Sequence, residues 1–251
     1  MLTTPIDLSR CIRVWLGGSF DPIHLGHLQM ICHVYEMLQQ TFPQHQVIAK
    51  LLPTAGSPLK EKPTSHQQRL AMLALATQSL PFMSIDTFEL SCPPPVYSFD
   101  TFSHFRERYP NDHLIFIMGE DSFCQLDKWY RGFELLTLTN LWVLRRPMWH
   151  HNMPRSCDDL PCLLAHQAGE VAAALGGYVT LSPTDLINTA RNHIYIDDFA
   201  IPNIASRDIR AWLYSASADE WQRAMASLPS AVYAYIMAQP LYGAQAATLT
   251  N

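Results

Sequence analysis

Two histidines three residues apart, His24 and His27, close the string GGSFDPIHLGHL, which follows the short apolar run VWL. Imidazole N–H groups one helical turn apart can face the same side and donate to the oxygens of an anion. What precedes them suits the same ligand. A strand that runs through glycines into a helix start frees backbone N–H groups and aims the positive end of the helix at the gap, which is a general anion site. Gly17 and Gly18 leave no Cβ in the path of a phosphate chain, Pro22 fixes the turn, and Gly26 keeps the first helical turn thin. Zinc is the competing use of a histidine pair. No carboxylate or thiol stands at a spacing that would complete such a site, so no metal ligand is assigned. The string is neither the dinucleotide pattern G-x-G-x-x-G nor a P-loop, and on residue types alone a tight structural turn remains open.

The elements that must hold this string are legible in the hydrophobic pattern. Apolar runs at 13–16, 47–52, 82–86, 114–118, 141–144 and 194–196 alternate with amphipathic stretches at 25–40, 65–79, 98–109 and 127–136, and a helical set runs from 206 to 237. Such alternation specifies an α/β fold, a parallel sheet flanked by helices. Ser65 with Gln68 is a capping box and marks one helix start. The glycine turn then ends the first strand, and the histidines open the first helix. Residues 148–192 break the alternation and read as an insertion in a single domain spanning 1–251, whose C-terminal part at 205–240 is helical.

A chain of 251 residues with 48% hydrophobic content can bury a substantial core. Its formal charge of -5 excludes a generally basic nucleic-acid surface, so an anionic ligand must be met by a few placed cations. Six scattered cysteines form no C-x-x-C pair and read as reduced thiols. The first residues lack the layout of a signal peptide, and no window approaches the ~18 apolar residues of a membrane span, so a cytoplasmic protein with neither membrane nor nucleic-acid partners is expected.

Taken whole, GGSFDPIHLGHL resembles the H-x-G-H signature of the nucleotidyltransferase superfamily. Further blocks resemble the bacterial nicotinate-nucleotide adenylyltransferase family in order and spacing: PTAGSPLK followed by SHQQRLAMLALA, then VYSFDTF, IFIMGEDSF, LDKWYRGFELL, LWVLRRP and NIASRDIRAWL. The resemblance covers roughly residues 13–237 and implies a Rossmann-like fold. It also implies transfer of AMP from ATP to nicotinate mononucleotide, giving nicotinate adenine dinucleotide and pyrophosphate, with Mg2+ accompanying ATP. His24, His27 and Arg210 would be catalytic. Gly17, Gly18, Ser19, Phe20, Gly26, Gly119, Asp121, Ser206 and Arg207 would bind ATP, and Lys60, Tyr97, Ser98, Trp129 and Arg146 the mononucleotide. Trp129 would stack on the pyridine ring. Asp121 would accept from the ATP ribose or help hold Mg2+, with a helix N-cap as its structural alternative. The last block departs from the family pattern: Ala205 replaces a serine and Arg207 a threonine, which removes one hydroxyl and adds a cation. Alternatives are the nicotinamide mononucleotide enzyme, another adenylyltransferase, or a nucleotide sensor without turnover.

Overall fold

The protein is described by a computed structural model covering residues 10–55, 64–145, 175–199, 201–215 and 217–244. Its strands are β1 (Ile12–Gly18), β2 (Val47–Pro53), β3 (Met83–Ile85), β4 (His113–Gly119), β5 (Asn140–Leu144), β6 (Val179–Thr180) and β7 (Ile194–Asp197). They form one sheet in the order β3-β2-β1-β4-β5-β7-β6, and every pairing is parallel. The helices are α1 (Leu25–Thr41), α2 (His66–Thr77), α3 (Phe88–Ser91), α4 (Ser98–Arg108), α5 (Glu120–Phe123), α6 (Asp185–Asn188), α7 (Ser206–Tyr214), α8 (Ala218–Ser227) and α9 (Ser230–Ala238).

The central strands are apolar on both faces because helices cover both faces. Val14 and Leu16 of β1 join Ile31 and Val34 of α1, Ile209 of α7 and Val232 of α9 in one core. Between them Trp15 points the other way, into a second core with Phe102 and Phe105 of α4. Its indole lies flat on the Phe105 ring, with centroids 4.5 Å apart.

Strand order decides where a ligand can enter. The chain leaves β1 for β2 and β3 on one side, then returns to place β4 on the other side of β1. Helices therefore diverge above the carboxyl ends of β1 and β4, opening the crevice where open α/β sheets bind ligands.

Three stretches differ from the sequence expectation. Residues 127–136 are not one helix: they form two 3-10 turns, Leu126–Lys128 and Gly132–Thr137, joined through Arg131 in the left-handed region (φ 52°). The spacing of Leu126, Trp129 and Phe133 serves either geometry, and close packing of the turns decides between them. A Cβ on Gly132 would stand 2.0 Å from the Leu126 carbonyl oxygen. The second difference is that residues 175–192, the described part of the stretch read as an insertion, carry β6, which pairs with β7 at the sheet edge. Two residues are too short for a visible apolar run. Third, the C-terminal helical set is three helices, broken at Ser215 and at Leu228–Pro229.

Cys11, Cys32, Cys92 and Cys124 are free thiols, and Cys157 and Cys162 lie outside the described residues. No described helix is long and apolar enough to cross a membrane.

Candidate active site

A cavity of about 370 Å3 opens at the β1/β4 crevice. It is lined by Gly17, Gly18 and Ser19 from the end of β1, His27 of α1, Gly119, Asp121 and Ser122 from the end of β4, and Ser98, Trp129 and Glu89. Its size is that of an ordinary small-molecule site.

The turn between β1 and α1 explains the histidines. Phe20 takes a left-handed conformation (φ 46°), a strained arrangement for a side chain of its size, and is held there by burial of its ring. The Asp21–Pro22 bond is cis. His24 then occupies the N-cap position of α1. Its backbone N–H donates to His27 Nδ1 at 3.3 Å, which makes Nδ1 the acceptor and leaves the proton of the neutral ring on Nε2. The two rings stack with centroids 3.7 Å apart, and the Phe20 ring meets His27 edge-on. They are not equivalent: His27 lines the cavity, whereas His24 is 2% exposed and lies behind it.

The glycines are required by packing as well as by ligand approach. A Cβ on Gly17 would stand 2.8 Å from the Phe116 ring, one on Gly18 would stand 3.1 Å from the Phe20 ring, and one on Gly26 would stand 3.1 Å from the His24 ring. Gly26 thus lets the His24 imidazole lie across the start of the helix.

Behind the cavity, residues distant in sequence converge on the same turn. Arg69 of α2, 3% exposed, donates to the Ser19 carbonyl at 2.7 Å and to the Thr54 carbonyl at 2.8 Å, so one guanidinium ties together two loops that rim the site. Burial pulls its pKa below the usual arginine value, and the nearby Asp21 charge opposes that pull. The Tyr242 hydroxyl donates to Asp21 Oδ1 at 2.7 Å. Burial, and then the Asp21 charge, push the Tyr242 pKa up. From α7, Arg210 donates to the Asp21 carbonyl at 2.6 Å and Ser206 Oγ to the Pro22 carbonyl at 2.9 Å. Arg210 and Ser206 are therefore docked on the turn, and neither is part of the cavity wall.

Other expected residues fall less close. Arg207 points to solvent: its side chain is 83% exposed and pairs with Asp208 at 3.0 Å, because the start of α7 presents this position outward. Tyr97 is 41% exposed, its ring is tilted against that of Tyr130 with centroids 4.6 Å apart, and it is not part of the cavity lining. Lys60 and Arg146 lie outside the described residues.

At α3, two carboxyl groups stand in different environments. Burial works to raise Asp86, and is outweighed by hydrogen bonds from the Trp15 indole (3.1 Å) and Lys50 (3.0 Å), which hold its carboxyl below the usual range. Glu89 is 5% exposed, and its Oε1 accepts from the Thr101 hydroxyl at 2.9 Å. Burial, with a contribution from the Asp86 charge, pushes it up to about 7 against the lowering effect of Thr101. Sequence reasoning missed Glu89, Arg69 and Tyr242 as site residues. The box SHQQRL marks where Arg69 stands in its helix, but nothing local shows that Glu89 in FELS or Tyr242 near the C-terminus reaches the turn or its cavity.

Among the described residues no group of three or more His, Cys, Asp or Glu side chains is placed to hold a metal ion. A second cavity, of about 320 Å3, lies beside the amino end of β4 and is lined by Arg10, Arg106, His113 and Arg191. Arg106 is committed to the fold there, donating to the carbonyls of Leu138 and Asp112.

Comparison with known proteins agrees with this geometry. Residues 15–212 match the cytidylyltransferase-like family model. A protein of Aeromonas hydrophila, named probable nicotinate-nucleotide adenylyltransferase, is 32% identical over 243 residues, covering 96% of this chain and 99% of its own. Its namesake in Sodalis glossinidius is 34% identical, covering 93% of this chain and 98% of its own. In fold, the chain is similar to the Plasmodium falciparum nicotinic acid mononucleotide adenylyltransferase complexed with NaAD, with a TM-score of 0.66, 15% identity, and coverage of 94% of this chain and 99% of that one. The same Plasmodium protein complexed with APC gives a TM-score of 0.64. With the glycine turn, the paired imidazoles and the crevice between β1 and β4 all in place, the chain belongs to the nicotinate-nucleotide adenylyltransferase family.

Proposed function

We infer that the protein joins ATP to nicotinate mononucleotide, with the reaction running along the cavity from the glycine turn to Trp129. A phosphate oxygen of the mononucleotide attacks the α-phosphorus of ATP, the bond to the bridging oxygen of the β-phosphate breaks, and pyrophosphate leaves. The attacking monoester has a second pKa of ~6 and is largely dianionic at neutral pH. It needs no general base, and catalysis rests on alignment and charge neutralisation.

The observation that carries this reading is the content of one cavity, which Gly17, Gly18 and His27 line together with Ser98 and Trp129. The Nε2–H of His27 is the donor for charge developing on the triphosphate. His24 orients that ring by stacking and by its backbone N–H. Arg210 and Ser206 pin the start of α7 to the turn, bringing a helix N-terminus toward the same anion. Asp121 and Gly119 serve the nucleoside of ATP, and Trp129 with Ser98 the pyridine ring. Magnesium enters as part of the MgATP substrate; the ion keeps several waters and needs few protein ligands, so no residue is assigned to it.

The test is pyrophosphate release with ATP and nicotinate mononucleotide, together with identification of the dinucleotide product. Formation of nicotinate adenine dinucleotide is expected. ATP binding without turnover would leave a nucleotide sensor, and a higher kcat/KM for nicotinamide mononucleotide would overturn the choice of substrate.

A further inference from the structure

Glu89 is a buried acid on the cavity wall that adenylyl transfer does not use. The Thr101 hydroxyl that donates to its Oε1 also reaches the Tyr97 carbonyl at 3.2 Å, so the carboxyl is fixed against the first turn of α4. That turn carries Ser98, which lines the cavity together with Trp129. Thr101 makes the one hydrogen bond found for the Glu89 side chain among the described residues, and the residue is part of the cavity lining.

A carboxyl group in such a place has two faces. With its proton it donates a hydrogen bond; without it, it only accepts. The pyridine substituents of the two mononucleotides distinguish these states. A nicotinate carboxylate accepts only, whereas a nicotinamide group can also donate.

We propose that Glu89 is a specificity-determining residue on the mononucleotide side of the cavity: protonated, it donates to the carboxylate of a nicotinate ligand, and ionised, it repels that carboxylate and accepts from the N–H of the amide. The proposal rests on the reading of the Trp129 end as the pyridine site. Its proton comes from solvent when the acid ligand binds, and no other group need change state. Burial, which pushes this carboxyl to about 7, places both states within reach of neutral conditions.

The charged and titratable neighbours are few. Asp86 is balanced by Lys50 and the Trp15 indole. His104 of α4 stacks on Phe88, next to Glu89 in α3, with centroids 4.1 Å apart. His27 and Asp121 share the cavity wall. These groups, the ATP and the phosphate of the mononucleotide meet both ligands alike, so their titration cancels in a ratio.

The experiment is therefore the ratio of kcat/KM for nicotinate mononucleotide to that for nicotinamide mononucleotide, measured from pH 5.5 to 8.5. In the wild type the ratio should fall as pH rises through the ionisation of Glu89, by up to about tenfold per pH unit. In E89Q it should be level throughout, and in T101V, which lacks the donor that favours ionisation, the fall should move to higher pH. A level wild-type ratio overturns the proposal without any variant, as does a fall that survives in E89Q. Calorimetry at pH 7.5 in two buffers of different ionisation enthalpy decides the point without turnover. Nicotinate mononucleotide should bind with more proton uptake by the wild type than by E89Q, and equal uptake by both would refute the role of Glu89. Failure to form either dinucleotide would count instead against adenylyl transfer, and proton uptake would still decide Glu89.

Discussion

Replacing Arg69 by methionine keeps most of the side-chain volume and deletes both arms of the bridge between Ser19 and Thr54. Each lost bond is charge-assisted and ends on a carbonyl under a buried side chain, worth about 1.5–3 kcal/mol. The Asp21 carboxylate also loses the favourable charge of a nearby cation. These terms overlap, so the expected loss of folding stability is about 3–5 kcal/mol. For a chain of this size, that lowers Tm by about 6–20 °C. Equilibrium denaturant unfolding followed by tryptophan fluorescence would measure it. Because Ser19 and Thr54 both line the cavity, R69M should also raise KM for ATP under conditions where the protein remains folded. Arg69→Lys should restore the charge beside Asp21 but not the two-armed bridge, and fall between the two. An R69M midpoint equal to that of the wild type would refute the idea that this guanidinium holds the turn.

Three further outcomes follow from the same geometry. His27→Ala should lower kcat by about a hundredfold or more, the effect of removing one preorganised donor worth about 2.7–4 kcal/mol, and a kcat within threefold of wild type would remove His27 from the mechanism. Tyr242→Phe should cost about 1–3 kcal/mol in the denaturant midpoint by leaving the buried Asp21 carboxylate short of a donor. The third outcome concerns acid stability. Burial, reinforced by Arg10, His45 and Arg106, depresses His113 to about 4, below its unfolded value near 6.5. The stability this neutral ring allows is therefore full above about pH 6.5 and is lost as pH falls toward 4, so H113Q should lose less stability than the wild type between pH 7 and 4.

Which of these features a reader of the sequence could have found depends on how local their causes are. The core strands announce themselves because a strand covered on both faces is a run of apolar residues, as in VWL and LIFIM. The glycine turn and His27 are equally plain, since strand, turn and helix start are contiguous. Periodicity misleads at 127–136, where residues three apart suit an α-helix and a 3-10 turn alike, and only the contact of Gly132 with the Leu126 carbonyl separates them. Two-residue β6 is paired by its neighbour's register and carries no pattern of its own. Arg207 resembles a ligand-binding cation by position in its block, yet the rotation of α7 points it at water. Glu89 and Tyr242 owe their roles wholly to tertiary placement.

The tie between Tyr242 and Asp21 joins residues 221 positions apart. Closing a loop of that span costs more entropy than a local contact does, so this bond forms only once the sheet and the C-terminal helices have brought the two segments together. Any loosening that draws Tyr242 from its place would therefore be felt at the turn between β1 and α1, far away along the chain.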